Sequence, residues 1–142
     1  MNWKYIEEFD AKDYYGFIYL IKYEDGTKYI GKKSLWTERR LKPRKTDRAN
    51  AKRIVVKESN WRLYNGSTKL SKGKTISSKH ILKLCKTKTD LTYWETYYLM
   101  LNNVLFDSMY LNQNVMGKFY CSEHLTGSKE YIKESKWEKK NI

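Results

Sequence analysis

The chain is short of the residues from which stapled, membrane-spanning or multidomain proteins are built. Its 142 residues include two cysteines, Cys85 and Cys121, which excludes a disulfide framework and suits a reducing cytoplasm. One proline and seven glycines are too few for a flexible linker between domains, and no internal repeat or low-complexity stretch is present. No apolar run approaches the ~20 residues of a spanning helix. Met1 to Glu8 lacks the apolar core of a secretory signal. Acids are outnumbered: 16 Asp and Glu face 29 Lys and Arg, leaving a net charge of +13. What remains is one domain's worth of chain, expected in the cytoplasm with no membrane partner. Its field recruits polyanions, nucleic acid first. Charge explains affinity and not reaction, so a basic nucleic-acid coat satisfies the composition as well as an enzyme does.

Local patterns supply the elements. Aromatic and β-branched residues predict a strand from Tyr15 to Tyr23 and a partner from Thr27 to Lys32, joined at Asp25-Gly26, a strong hairpin signal. The hairpin lays Phe17-Ile18-Tyr19 beside Tyr29-Ile30-Gly31, so that two phenols can face one small site. Ser34 is the expected N-cap of a short helix to Leu41, which Pro43 stops. Residues 39–57 then hold Arg39, Arg40, Lys42, Arg44, Lys45, Arg48, Lys52, Arg53 and Lys57 against a single acid, Asp47. Such a block repels itself unless a polyanion neutralises it, and reads as a mobile loop or an ordered arm that becomes fixed on binding a polyanion. Asn60 to Leu70 predicts a helical turn closed by Asn65-Gly66.

Lys79 to Lys86 predicts a third strand, with His80, Leu82 and Leu84 on one face and Ile81, Lys83 and Cys85 on the other. The best helix runs from Leu91 to Leu105 behind Asp90 as N-cap, with Leu91, Trp94, Tyr98, Leu101 and Leu105 at helical spacing. Residues 129–140 alternate Lys and Glu like an exposed, frayed helix. The expected fold is α+β: a small, mostly antiparallel three-stranded sheet flanked by helices. It covers residues 15–120, with an N-terminal extension at 1–14, a basic insertion at 40–60 and a basic tail at 121–142.

Breaking a phosphodiester requires a deprotonated water, charge stabilisation at the phosphoryl oxygens and a group for the leaving oxygen. Tyr19 and Tyr29 are candidates for the proton, provided that cations or a metal favour a phenolate whose free pKa is about 10. Lys32, Lys33 and Arg39 are cations at hand, and Gly31 leaves room for close approach. Glu95, in the second turn of the long helix, is the best carboxylate for a metal. One hard oxygen ligand from protein points to Mg²⁺ or Mn²⁺, one per site, with water and phosphate completing the shell. Zinc is set aside: Cys121 and His124 have a usable spacing, but strand alternation turns His80 and Cys85 to opposite faces.

Gly16-Phe17-Ile18-Tyr19, nine intervening residues, and Tyr29-Ile30-Gly31-Lys32 resemble the signature of the GIY-YIG nuclease superfamily. Phe17 stands in place of the first Gly of the first triplet, with Gly16 just before it. The resemblance implies that Tyr19 and Tyr29 line the site and that one of them is the general base. It implies catalytic roles for Lys32, for Arg39 or its neighbour Arg40 on the first helix, and for Glu95 as the metal ligand. It adds a final Asn, either Asn112 or Asn114. The strings Lys57-Glu58-Ser59-Asn60-Trp61, Tyr64-Asn65-Gly66-Ser67 and Leu111-Asn112-Gln113-Asn114-Val115 are similar to those of small phage-encoded GIY-YIG endonucleases. By that resemblance the chain is a metal-dependent endonuclease of double-stranded DNA, of homing type. The competing expectation is a catalytically silent nucleic-acid-binding module on the same fold. A single site nicks one strand, and a double-strand break needs two subunits or two visits, so monomer and dimer both stay open.

Overall fold

A computed structural model of the chain describes residues 2–5, 7–46, 48 and 53–121. The domain is α+β, built on a mixed four-stranded sheet and one α-helix among the described residues. In chain order the elements are β1 (Trp3–Lys4), β2 (Gly16–Tyr23), β3 (Lys28–Ser34), β4 (Trp36–Leu41), β5 (Arg53–Glu58), β6 (Ile76–Cys85), α1 (Lys88–Leu101), β7 (Asn114–Val115) and β8 (Phe119–Tyr120). The main sheet has the order β1-β6-β2-β3, while β4 pairs with β5 and β7 with β8 in two separate ribbons.

The expected hairpin is present. Tyr19 lies opposite Gly31 and Ile21 opposite Tyr29, so both phenols project from one face. At the turn, Asp25 accepts from the Thr27 amide and hydroxyl and pairs with Lys74, which holds its carboxyl well below the usual range. β2 reads as a continuous apolar run because both its faces are covered. Phe17, Tyr19 and Ile21 pack with Trp3, Leu35 and Trp61, while Ile18 joins Ile30, Cys85, Leu91 and Leu99 beneath α1. The anticipated three-stranded sheet gains β1, which runs parallel to β6. Trp3 explains this: its ring packs edge-on to Phe17 at 5.1 Å, and its indole Nε1 donates to the Trp61 carbonyl at 2.7 Å.

Four local expectations are corrected. The helix predicted from Ser34 to Leu41 is strand β4, paired antiparallel with β5. The Ser34 hydroxyl donates to the Trp36 carbonyl instead of capping a helix, and the β-branched run Ile54-Val55-Val56 supplies a partner that local periodicity could not reveal. The turn expected over Asn60 to Leu70 is two separate 3₁₀ turns, Trp61–Leu63 and Lys69–Ser71. In β6, Ile81 faces Tyr19 and Lys83 faces Ile18, leaving Leu82 as a bulge. The bulge breaks strict alternation: Ile81 and Leu84 join one core layer, Leu82 and Cys85 the other. Finally, the cap of α1 is Thr87, whose side chain accepts from the Asp90 amide at 3.0 Å, and Asp90 sits in the first turn, favourable to the helix dipole. The helix stops at Leu101 because Asn103 takes a left-handed φ of 54°. Lys52, His124 and the tail helix expected at 129–140 lie outside the described residues.

The first strand is therefore part of the core. Trp3→Ala is expected to lower unfolding free energy in urea by about 3–5 kcal/mol, the usual range for a buried Trp. A loss below about 1 kcal/mol would show that the sheet does not depend on it.

Candidate active site

Strand β3 is an edge strand, and its outer side is closed over part of its length only. The Lys28 amide donates to the Met109 carbonyl at 2.8 Å, and the Leu111 amide donates to the Lys28 carbonyl at 2.7 Å. Asn112 completes the closure. Its Oδ1 accepts from the Ile30 amide at 3.1 Å and its Nδ2 donates to the Ile30 carbonyl at 2.7 Å, so a buried side chain stands in for a strand. Beyond Ile30 the edge opens into a cleft of about 360 Å³, lined by Tyr29, Lys32, Thr92, Glu95 and Asn112 among others.

The cleft straddles the edge strand. Tyr29 comes from the face away from α1. Lys32 lies opposite Ile18, on the helix face, and from there its Nζ reaches Thr92 Oγ1 at 3.3 Å and Glu95 Oε1 at 4.0 Å. Glu95 stands in the second turn of α1. Burial pushes its carboxyl above the ordinary glutamate pKa, and Lys32 partly restores it.

The two tyrosines differ. Tyr19 is fully buried, 6.2 Å ring to ring from Tyr29 and 5.8 Å from Tyr64 in an edge contact. Its phenol occupies the space above Gly31, where a Cβ would come within 2.6 Å of Tyr19 Cζ, so any side chain there would force the buried ring to move. Burial, with the phenols of Tyr64 and Tyr29 beside it, holds its pKa far above that of free tyrosine. Tyr29 is half-buried and lines the cleft. Burial raises its pKa too, the Ser67 hydroxyl at 3.4 Å pulls it back, and the Glu95 charge pushes it up again.

Tyr64 and Ser67 reach the tyrosines through a loop anchored from below. Lys79, fully buried in β6, donates from Nζ to the Tyr64 carbonyl at 2.8 Å and to Asn65 Oδ1 at 3.1 Å, and lies 4.4 Å from the centre of the Trp3 ring. Burial lowers its pKa. Gly66, at φ +92°, turns the loop tightly over Ile21. The string Tyr64-Asn65-Gly66-Ser67 was visible in the sequence, but its meeting with Tyr29 depends on the Lys79 anchor, which no local pattern announces.

Of the residues expected in the site, the structure brings together Tyr29, Lys32, Glu95 and Asn112. It sets Tyr19 directly behind Tyr29 in the core. Arg39 and Arg40 do not line the cleft; both are exposed on β4. Asn114 lines it, and its Oδ1 accepts from the Gly117 amide at 2.9 Å. Lys42, Arg44, Lys45 and Arg48 are exposed, and Arg53 donates to the Lys42 carbonyl at 3.2 Å. Among the described residues no three His, Cys, Asp or Glu side chains form a metal cluster. Glu95 does fit a hard cation that keeps most of its water: it is one half-buried carboxylate facing an open polar cleft, beside the carboxamides of Gln113 and Asn114. A larger groove of about 610 Å³ along α1, lined by Tyr93, Tyr97 and Met100, has no carboxylate on its walls.

A family model described as "Putative endonuclease segE, GIY-YIG domain" matches residues 1–115. No curated protein and no solved structure matches the chain.

The Asn112 clamp is testable without any assay of activity. Asn112→Ala leaves the amide and carbonyl of Ile30 unpaired and is expected to destabilise the fold by about 2–4 kcal/mol. The Ile30 amide should then exchange with solvent faster than its neighbours in β2. Unchanged exchange at Ile30 would contradict the clamp.

Proposed function

Because the chain belongs to the GIY-YIG endonuclease family, whose segE-type domain it matches over residues 1–115, we propose that it hydrolyses phosphodiester bonds of double-stranded DNA with the help of a divalent metal. The observation that carries this reading is the meeting of Tyr29, Lys32 and Glu95 in one cleft at the edge of β3.

The roles follow from the surroundings of each side chain. Tyr29 is the general base: its phenol opens to the cleft, and Ser67 can donate a hydrogen bond to its ionised form. Tyr19 supports Tyr29 from behind, since its own ionisation would put an unsolvated phenolate into the core. Lys32 offsets charge developing on the phosphoryl oxygens. Asn112 is a positioning residue that fixes the main chain between Tyr29 and Gly31. Glu95 would hold Mg²⁺ or Mn²⁺, which when bound would supply positive charge to stabilise the reacting phosphate. The net charge of +13 favours a polyanionic substrate, and the long-range field brings it to the cleft.

A homing-type enzyme of a phage or mobile element fits the family description and the phage-like strings around Trp61 and Asn112. One cleft acts on one strand, so a single copy nicks.

Supercoiled plasmid incubated with Mg²⁺ is expected to become nicked, and to stay intact in EDTA. Glu95→Gln should abolish cleavage while leaving the DNA mobility shift in place. Cleavage by Glu95→Gln at the wild-type rate would remove the metal assignment. A mobility shift without any cleavage by the wild type would leave only a binding module.

A further inference from the structure

The basic segment that follows the hairpin is a two-stranded ribbon, and its two faces are not alike. In an antiparallel pair, directly opposed residues share a face. The register sets Thr37 against Lys57, Arg39 against Val55 and Leu41 against Arg53 on one side. That side carries three cations and no acid. The other side sets Trp36 against Glu58, Glu38 against Val56 and Arg40 against Ile54, with one cation and two acids. We propose that this ribbon is a major-groove reader of duplex DNA and that the Arg39, Val55, Lys57 face is the one that enters the groove.

Three further observations point the same way. The ribbon exposes Val55 at 46% on the proposed face, and Ile54 and Val56 at 53% and 55% on the other, so an open two-stranded element that would otherwise invite aggregation needs a partner. Cations flanking a valine match what a major groove offers: phosphates at its walls, guanine acceptors and thymine methyl groups on its floor. Dimensions agree as well. Six opposed pairs span about 20 Å, close to six base-pair steps, and a two-stranded ribbon is of a size that this groove admits.

The root of the ribbon is tied to the body of the domain through one opposed pair. Trp36 Nε1 donates to the Tyr14 carbonyl at 2.9 Å, and Glu58 Oε1 accepts from Trp61 Nε1 at 2.8 Å, so the root pair of the acidic face is held against the domain, while Glu38, Arg40, Ile54 and Val56 beyond it are exposed. The Ser59 amide donates to the Leu35 carbonyl at 2.8 Å and its hydroxyl to the Ser34 carbonyl at 2.7 Å, closing the base of the ribbon where β3 ends. Because β3 also carries Tyr29 and Lys32, bases read by the ribbon lie at a fixed offset from the cleft. The proposal rests on the nuclease reading only for its choice of DNA as the polyanion.

The test uses the full chain in EDTA, binding a labelled 30-bp DNA duplex at about 50 to about 300 mM salt, followed by fluorescence anisotropy. Arg39→Gln and Lys57→Gln, each leaving the ladder intact, are expected to reduce the slope of log affinity against log salt by about 0.9 apiece. The triple variant with Arg53→Gln should reduce it by about 2.7. A charge-neutral change on the opposite face, Glu38→Gln with Arg40→Gln, should leave the slope unchanged. Selection from a randomised duplex pool should show altered base preference for Val55→Ala and none for Val56→Ala. Equal effects from both faces, no effect from either, or equally tight binding of duplex RNA, whose major groove is too narrow, would overturn the proposal. Wild-type cleavage of DNA in Mg²⁺ is scored separately. Cleavage with face-independent binding defeats the ribbon and leaves the nuclease, whereas face-dependent binding without cleavage does the reverse.

Discussion

The carboxamide of Asn112, bonded to both main-chain groups of Ile30, is the contact on which the rest of the site depends. An edge strand left open along its whole length would pair with any extended chain that met it. One closed along its whole length would leave no place for a substrate. Asn112 ends the closure at the middle of β3, and the cleft begins there. The same contact fixes the backbone between Tyr29 and Gly31, so the base candidate and the space above Gly31 are set together. Burial makes the arrangement stringent, since unpaired main-chain groups at Ile30 cost about 1–3 kcal/mol each.

Two phenols on one face, their ring centres 6.2 Å apart, have opposite surroundings. Tyr19 is enclosed by Trp3, Phe17 and Tyr64, and burial keeps it neutral. Tyr29 has the same burial in weaker form, with Ser67 working against it and the cleft in front. Holding that difference requires Gly31 for space and Lys79 to anchor the loop that delivers Ser67. A buried ammonium is costly in isolation. Here it has two oxygen acceptors and the face of an indole, and losing any one of them would leave the ammonium less well compensated in the core.

The hairpin was legible because everything that defines it is local: aromatic and β-branched strands, an Asp-Gly turn and a register fixed by side-chain alternation. Glu95 and Lys32 were legible by type and spacing, and their meeting is a consequence of α1 lying across the helix face of β3. Beyond that, the sequence failed wherever a distant partner decided the outcome. Trp36 to Leu41 looks helical until Ile54-Val55-Val56 is known to lie opposite it. Trp3 looks like part of an appendage until the Trp61 carbonyl accepts from its indole. Arg39 was drawn to the cleft by the helix expected to carry it. On a strand it belongs to the ribbon, exposed and away from the cleft. The bulge at Leu82 left no sequence signal at all.

The division between the two phenols is the account's central claim, and the pH dependence of single-turnover cleavage tests it most directly. With the Tyr29 pKa held above its ordinary value, the reactive phenolate is a minority form at neutral pH. The wild-type rate should therefore climb about tenfold per pH unit between about pH 6 and about pH 9. Tyr19→Phe should keep that slope, while Tyr29→Phe should lose it along with about 10²–10⁴ in rate. A Tyr29→Phe enzyme with wild-type rate and slope, or a slope lost in Tyr19→Phe alone, would contradict the account.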